Sequence, residues 1–197
     1  MSGVVWIGGA SLTGKSTLAA LLAERLGFKI LSTDGMAKHP GRPWRMSKRD
    51  VPAHVLEHYG TLSVDELVES VVEHYRGLQA QVRELTGLHG LDDSNPGLVL
   101  EGSALLPEQA PRLPSLTTVW LTAEESVLHS RARVSSRYGE ATDLDRRLVD
   151  QFVARAARYQ ELIIEAVDRL HLKRIDTSSR DLTEVAETVL ESLTRQG

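Results

Sequence analysis

Cysteine is absent from the chain, which rules out disulfides and thiolate-held metals and fits a reducing compartment. Long apolar runs are absent too. None approaches the roughly 20 residues that a helix needs to span a bilayer. No secretory signal precedes the first apolar stretch, because Met1-Ser2-Gly3 runs straight into Val4-Val5-Trp6-Ile7. A soluble, cytoplasmic protein without a membrane partner is the expectation. Blocks of one charge are also missing, and the net charge is −4, so a general nucleic-acid partner is not expected. No internal repeat or low-complexity tract is present. What remains is a chain of 197 residues, 41% of them apolar, enough for one globular domain over residues 1–197 that buries its core without covalent staples. Nothing in the composition bears on the oligomeric state.

The order of patterned segments is informative. Val4 to Ile7 reads as a short buried strand ending at Gly8-Gly9. Lys15 to Leu26 carries Leu18, Leu21, Leu22 and Leu26 at helical spacing, and Gly27 stops it. Phe28 to Ser32 reads as a second strand, Leu98 to Leu100 as a third, Thr118 to Leu121 as a fourth and Leu172 to Ile175 as a fifth. Ser63 with Glu66 predicts a capping box, followed by one apolar stripe from Val64 to Leu85. Thr122 with Glu125 predicts a second box, Phe152 to Leu170 a further helix, and Asp181 with Glu184 the start of the last one. Pro107, Pro111 and Pro114 make the link from third to fourth strand short or irregular. Strands alternating with helices imply an α/β fold with a mostly parallel sheet covered on both faces. Ligands in such sheets bind beyond the carboxyl ends of the strands. Residues 36–96 make too long a connection for one crossover and predict a helical lobe over those ends, closed by an exposed turn at Asp92 to Gly97.

Gly9-Ala10-Ser11-Leu12-Thr13-Gly14-Lys15-Ser16 fits G-x-x-x-x-G-K-[ST], the Walker A pattern. A strand delivers the chain, glycines allow close backbone approach, and successive N–H groups form an anion-binding concavity at a helix N-terminus. Lys15 would reach the β- and γ-phosphates of ATP, and the Ser16 hydroxyl would ligate Mg²⁺; Thr17 continues the nucleotide-binding loop. No N-K-x-D segment of the guanine-reading kind occurs, so phosphoryl transfer from ATP to a bound acceptor is the expected chemistry.

With this loop, Ser32-Thr33-Asp34 and the Leu98 to Gly102 stretch, the chain resembles the nucleoside-monophosphate-kinase-like group of P-loop kinases. Within that group it looks most like 2-phosphoglycerate kinase and its relatives, which share S-T-D after the second strand and E-G after the third. The resemblance implies a three-layer fold with a five-stranded parallel sheet in the order 2-3-1-4-5. It also implies a helical acceptor lobe at residues 36–96 and a mobile arginine lid at 131–150. In one place the chain departs from the pattern. It reads Glu101-Gly102-Ser103-Ala104-Leu105-Leu106-Pro107, without the histidine expected in that stretch, which leaves the substrate open.

Further residues take expected roles from their positions. Asp34, at a strand end, would accept the acceptor hydroxyl's proton or position it. Glu101, also at a strand end, would orient a metal ligand or grip the acceptor. Lys38, His39, Arg42, Arg45, Lys48 and Arg49 form the densest basic segment, equally readable as a solvated loop or an anion site. Arg42 and Arg45 are the choice for an acceptor carboxylate or phosphate, because guanidinium forks suit planar anions. Trp44 reads as a packed aromatic. His129, Arg133 and Arg137 share a helical face by spacing, and Arg133 and Arg137 are the lid arginines expected at the transferring phosphoryl, Arg133 on the nucleotide as well. Arg155 resembles the post-lid arginine of these kinases and is assigned to the acceptor. Thr177 would lay main chain against the adenine. His54 and His58, four apart, lack a third metal ligand and read as surface or core.

The expected function is thus transfer of the ATP γ-phosphate to a small anionic metabolite. Three alternatives fit less of the sequence. A neutral-alcohol or antibiotic phosphotransferase leaves Arg42 and Arg45 without purpose. A polynucleotide 5′-kinase wants a basic stripe, and a nucleotide-binding regulatory module has no acceptor.

Overall fold

A computed structural model describes residues 3–36, 39–44, 51–91 and 96–194 of the chain. Arg45, with Lys38, Lys48 and Arg49, lies outside the described residues, as does most of the turn expected at Asp92 to Gly97.

Five strands form one sheet in the order β2-β3-β1-β4-β5, every neighbouring pair parallel. They are β1 (Val4–Gly9), β2 (Lys29–Ser32), β3 (Leu98–Glu101), β4 (Leu116–Thr122) and β5 (Arg174–Asp176). The expected order and the α/β class are therefore observed. β1 runs through the centre, and its side chains alternate between two cores. Val4 and Trp6 pack into one with Leu98, Leu100, Trp120 and Ile163. Val5 and Ile7 pack into the other with Leu18, Leu22, Val99 and Val189. A strand buried on both faces must be apolar throughout, which is why its sequence is a run without alternation. The two indole N–H groups are satisfied inside the core: Trp6 donates to the Thr86 hydroxyl at 3.0 Å and Trp120 to the Leu105 carbonyl at 2.9 Å.

Seven α-helices occur among the described residues: α1 (Lys15–Leu26), α2 (Ala53–Thr61), α3 (Val64–Gly77), α4 (Gln79–Gly90), α5 (Glu125–Ser136), α6 (Asp143–Arg169) and α7 (Leu182–Thr194). The Ser63/Glu66 box caps α3 as expected. The single stripe predicted from Val64 to Leu85 is broken at Leu78 into α3 and α4. The break leaves the buried Gln79 amide free to donate to the carbonyls of Tyr75 (2.6 Å) and Ala104 (2.8 Å), tying the lobe to the segment after β3. The box expected at Thr122/Glu125 does not form. Thr122 still belongs to β4, paired with Asp176, and α5 begins after Glu124 with no side-chain cap. α6 starts nine residues earlier than predicted, with the Thr142 hydroxyl accepting from the Asp145 amide at 3.2 Å. The β3–β4 link carries only a 3-10 turn at Pro107–Gln109, as the prolines imply. Among the described residues no helix is long and apolar enough to cross a membrane.

Candidate active site

The parallel register brings the strand ends to one edge. Ile7 and Ser32 both stand beside Glu101, and Gly9 beside Leu121. From that edge the loop of residues 9–15 rises and turns directly into α1. Gly9 has φ +127°, and a Cβ there would meet the Leu121 carbonyl oxygen at 2.3 Å. No other residue fits that approach. Leu12 at φ 71° and Gly14 at φ 95° interleave left-handed conformations into the turn, the backbone alternation that points successive N–H groups at one spot. The loop is braced from within by the Thr13 hydroxyl, which donates to the Ala10 carbonyl at 3.0 Å.

Lys15 is buried, and its ammonium donates to the same Ala10 carbonyl at 2.6 Å. Burial lowers its pKa, the carboxylates of Asp34 and Glu101 pull it back up, and Arg42 pushes it down. The ammonium thus stands among three of the charges assigned to the site. Ser16 is exposed at the head of α1, and its hydroxyl donates to Glu101 Oε1 at 3.2 Å. Glu101 is itself buried. It is followed by Gly102, where a Cβ would fall 1.8 Å from Thr33 Oγ1, so the chain leaving β3 presses against the turn that carries Asp34.

These residues open on one cavity of about 390 Å³. Its walls bring together Ser11, Leu12, Gly14, Lys15, Ser16 and Thr17 with Asp34, Arg42, Glu101 and Arg155. Gly9, Ala10 and Thr13 are buried positions of the same loop and do not line the cavity. Arg155, on α6, is 5% exposed and donates to the Tyr59 hydroxyl at 2.9 Å. Arg42 is exposed at the rim, its guanidinium 5.8 Å from the Trp44 ring centre. Trp44 is packed edge-on against Phe152, as a core aromatic.

Arg133 and Arg137 stand elsewhere. Arg133 is exposed and lies 5.0 Å above the Tyr138 ring, and Arg137 leaves the helix altogether as the left-handed residue ending α5 at φ 53°. The shared face expected from their spacing ends at Ser136, and neither lines the cavity. The arginine of α5 that does is Arg131. It donates to the Leu12 carbonyl at 2.8 Å and to the Thr177 carbonyl at 3.1 Å, clamping the phosphate loop to the segment after β5. Thr177 is buried there, with its hydroxyl 2.9 Å from the Thr13 carbonyl. The spacing argument missed Arg131 because it followed the 129-133-137 stripe. The buried pair Leu128 and Ala132 marks the inward face of α5, and Arg131 and Arg133 flank it on opposite sides.

Sequence reading also missed a histidine group. His39, His58 and His74 come from the segment after β2, from α2 and from α3, and their rings meet beside Arg155. His58 was singled out with His54 instead and His39 only as a member of the basic segment, and nothing in the spacing joined either to His74. Among the described residues no group of three or more histidine or acidic side chains is arranged to hold a metal. The oxygen donors of Ser16 and Glu101, with Asp34 close by, are nonetheless of the type that suits Mg²⁺, an ion that keeps waters and substrate phosphates in most of its coordination sphere.

No protein-family model matches the chain, and no curated protein matches it in sequence. Its fold does match solved structures. The chain is similar to a gluconokinase from Sinorhizobium meliloti 1021 at 19% identity and TM-score 0.52, over 98% of this chain and 93% of that one. It is similar to shikimate kinase from Acinetobacter baumannii at 15% identity and TM-score 0.53, over 99% and 94% of the two chains. Thymidylate kinase from Candida albicans matches at 15% identity and TM-score 0.50, over 98% and 92%. At these identities the likeness is one of fold. Sheet order, loop and helices define a P-loop kinase fold.

Proposed function

We propose that the protein is an ATP-dependent small-molecule kinase that transfers the γ-phosphate to a hydroxyl or acid group of an anionic metabolite. The observation that carries the reading is that Lys15 and the residues of its loop share the walls of one cavity with Asp34, Arg42 and Arg155. A phosphate-binding end and an acceptor-binding end are then in contact, as transfer without loss to water requires.

In this reading Lys15 gives up the Ala10 carbonyl for the β- and γ-phosphates. Ser16 and Glu101, with Asp34, hold the Mg²⁺ and its waters, and the ion supplies neutralisation of charge on the phosphate oxygens. Arg131 and the Thr177 main chain wall the base. Asp34 orients the acceptor hydroxyl and takes its proton late, in keeping with a loose transition state. Residues 36–96 serve as the acceptor lobe and 131–150 as the lid, and Arg133 and Arg137 act only where closure carries them inward. The polar charge at Arg155 favours an anionic acceptor over a neutral alcohol.

The S-T-D and E-G pairs support kinship with 2-phosphoglycerate kinase, so that compound heads a screen of phosphorylated and carboxylated metabolites for ADP release. Lys15→Ala should lower kcat by about 10²–10³ while circular dichroism and the melting curve stay those of the parent. Unaltered turnover in folded Lys15→Ala protein rules the reading out. A protein that binds MgATP yet phosphorylates nothing in the pool is a regulatory module instead.

A further inference from the structure

Arg155 is a buried cation whose only hydrogen bond among the described residues goes to a neutral group, the Tyr59 hydroxyl. Its guanidinium otherwise lies against the ring faces of Phe152, at 4.6 Å, and Tyr59, at 5.7 Å. No carboxylate is paired with it among the described residues, although buried arginines ordinarily have one. A guanidinium has five N–H donors, so most of its donor capacity is unspent on a side chain that lines the cavity.

The histidines stand in front of this charge. The ring of His39 is 4.8 Å from that of His74 and 5.4 Å from that of His58. His39 Nδ1 lies 2.9 Å from the Pro40 carbonyl, so the hydrogen of the neutral ring sits on Nδ1 and Nε2 carries the lone pair. Among the described residues the Nε2 atoms of His39 and His58 are both buried without a hydrogen-bond partner. Burial first, then the Arg155 charge, with smaller pushes from His74 and His58, hold His39 down to about 4. Burial and Arg155 also lower His58, and burial lowers His74. The other charged or titratable groups around the cluster are Arg42 on its own segment, His54 and Tyr59 on α2, Tyr75 on α3 and Asp34 after β2. The two carboxylates on the cavity wall, Asp34 and Glu101, are engaged with Lys15. Among the described residues this pole of the cavity is cationic and short of counter-charge.

We propose that Arg155 and the His39–His74 face form the acceptor's anion subsite, that it takes a tetrahedral dianion such as a phosphomonoester, and that binding draws a proton onto the histidine cluster. The word acceptor rests on the kinase reading; the anion site does not. A monoanion is balanced by Arg155 alone. A second negative charge offsets the Arg155 repulsion on His39 and supplies the buried ring with the counter-charge that burial denies it, and once protonated its Nε2 becomes a donor to the anion while Nδ1 keeps Pro40. The bound state therefore holds one proton more than the free state. Affinity stays flat at high pH, then strengthens by up to about tenfold per pH unit as pH falls between the bound and free titration midpoints.

Sulfate tests this, because it remains a dianion throughout the range. The protein is loaded with the magnesium complex of a non-hydrolysable ATP analogue, so that the phosphate loop is filled, and the imidazole C–H resonances are followed by NMR between about pH 3 and 8, a range that spans the free midpoint of His39. Assignment uses His39→Gln. Saturating sulfate should raise the His39 midpoint above about 4 by at least one unit, about a tenfold gain in proton affinity. Arg155→Gln should abolish both the shift and the binding. If that variant does not fold, His39→Gln should still bind sulfate but lose most of the pH dependence. Unmoved midpoints at all three histidines, or undiminished proton-coupled binding in Arg155→Gln, overturn the proposal. Analogue binding is read separately by calorimetry. Silent histidines with nucleotide bound reject the subsite alone, whereas shifted histidines without nucleotide affinity reject the kinase reading and keep the subsite.

Discussion

Lys15, Asp34 and Glu101 come from three separate strand ends, and both carboxylates act on the Lys15 ammonium across one cavity. Arg131 shows what a single side chain adds to that arrangement. Its two N–H groups hold carbonyls of the phosphate loop and of the segment after β5, which are 165 positions apart in sequence, from Leu12 to Thr177. Truncating it removes two charge-assisted bonds from a region that has to keep its shape to bind phosphate. Arg131→Ala is expected to weaken ATP binding by at least about tenfold and to lower the melting temperature by several degrees, at about 2–4 °C per kcal/mol lost. Arg131→Lys should not restore it, since one ammonium cannot span both carbonyls in the fork geometry. Isothermal calorimetry with the magnesium–nucleotide complex checks both. The Walker loop was legible because its spacing is dictated by local backbone geometry. Arg131 was not, because helical periodicity says which residues share a face and not which flank meets a neighbour.

At the scale of elements, boundaries set by local chemistry were readable and those set by packing were not. Ser63 and Glu66 cap α3 by bonds within one turn: the Ser63 amide donates to Glu66 Oε2 at 2.8 Å, and Ser63 Oγ accepts from the Glu66 amide at 3.4 Å. Ser63→Ala is expected to cost about 1 kcal/mol, seen as a drop of about 2–4 °C in melting temperature for a chain of this size. An unchanged melting curve would mean that packing against α6, and not the cap, sets where α3 begins. Thr122/Glu125 carries the same sequence signature yet forms no box, since Thr122 is held in β4, where its carbonyl accepts from Thr177 N at 2.8 Å. The strand claimed the residue before the helix could. The helix expected from Phe152 begins at Asp143, inside the stretch expected as lid. Arg146 there donates back to the Tyr138 and Gly139 carbonyls at 3.0 and 3.2 Å.

Across the whole molecule, the pH response follows from the histidines that folding buries. His39 takes a proton at about 4 in the folded chain and near 6.5 in the unfolded one. The unfolded state therefore binds the extra proton first as pH falls. Stability should be level above about pH 6.5, decline on acidification, and level again, as far as this group goes, below about pH 4. His58 and His74, also lowered, add to the decline. Denaturant titrations across that window should show it, and His39→Gln should make it shallower. A His39→Gln curve parallel to the parent would assign the acid sensitivity to other groups.

The amino-acid sequence alone determined the strand–loop–helix that presents Lys15, the sheet class and the strand ends where chemistry gathers. Each of these is written in contacts between near neighbours and in the period of apolar residues. Only the tertiary structure decided that Arg131 faces the loop while Arg133 faces solvent, and that His39, His58 and His74 meet Arg155 from separate elements. Such meetings depend on how helices are rotated and docked against the sheet, and side chains tens of residues apart carry no mark of that docking in their order along the chain.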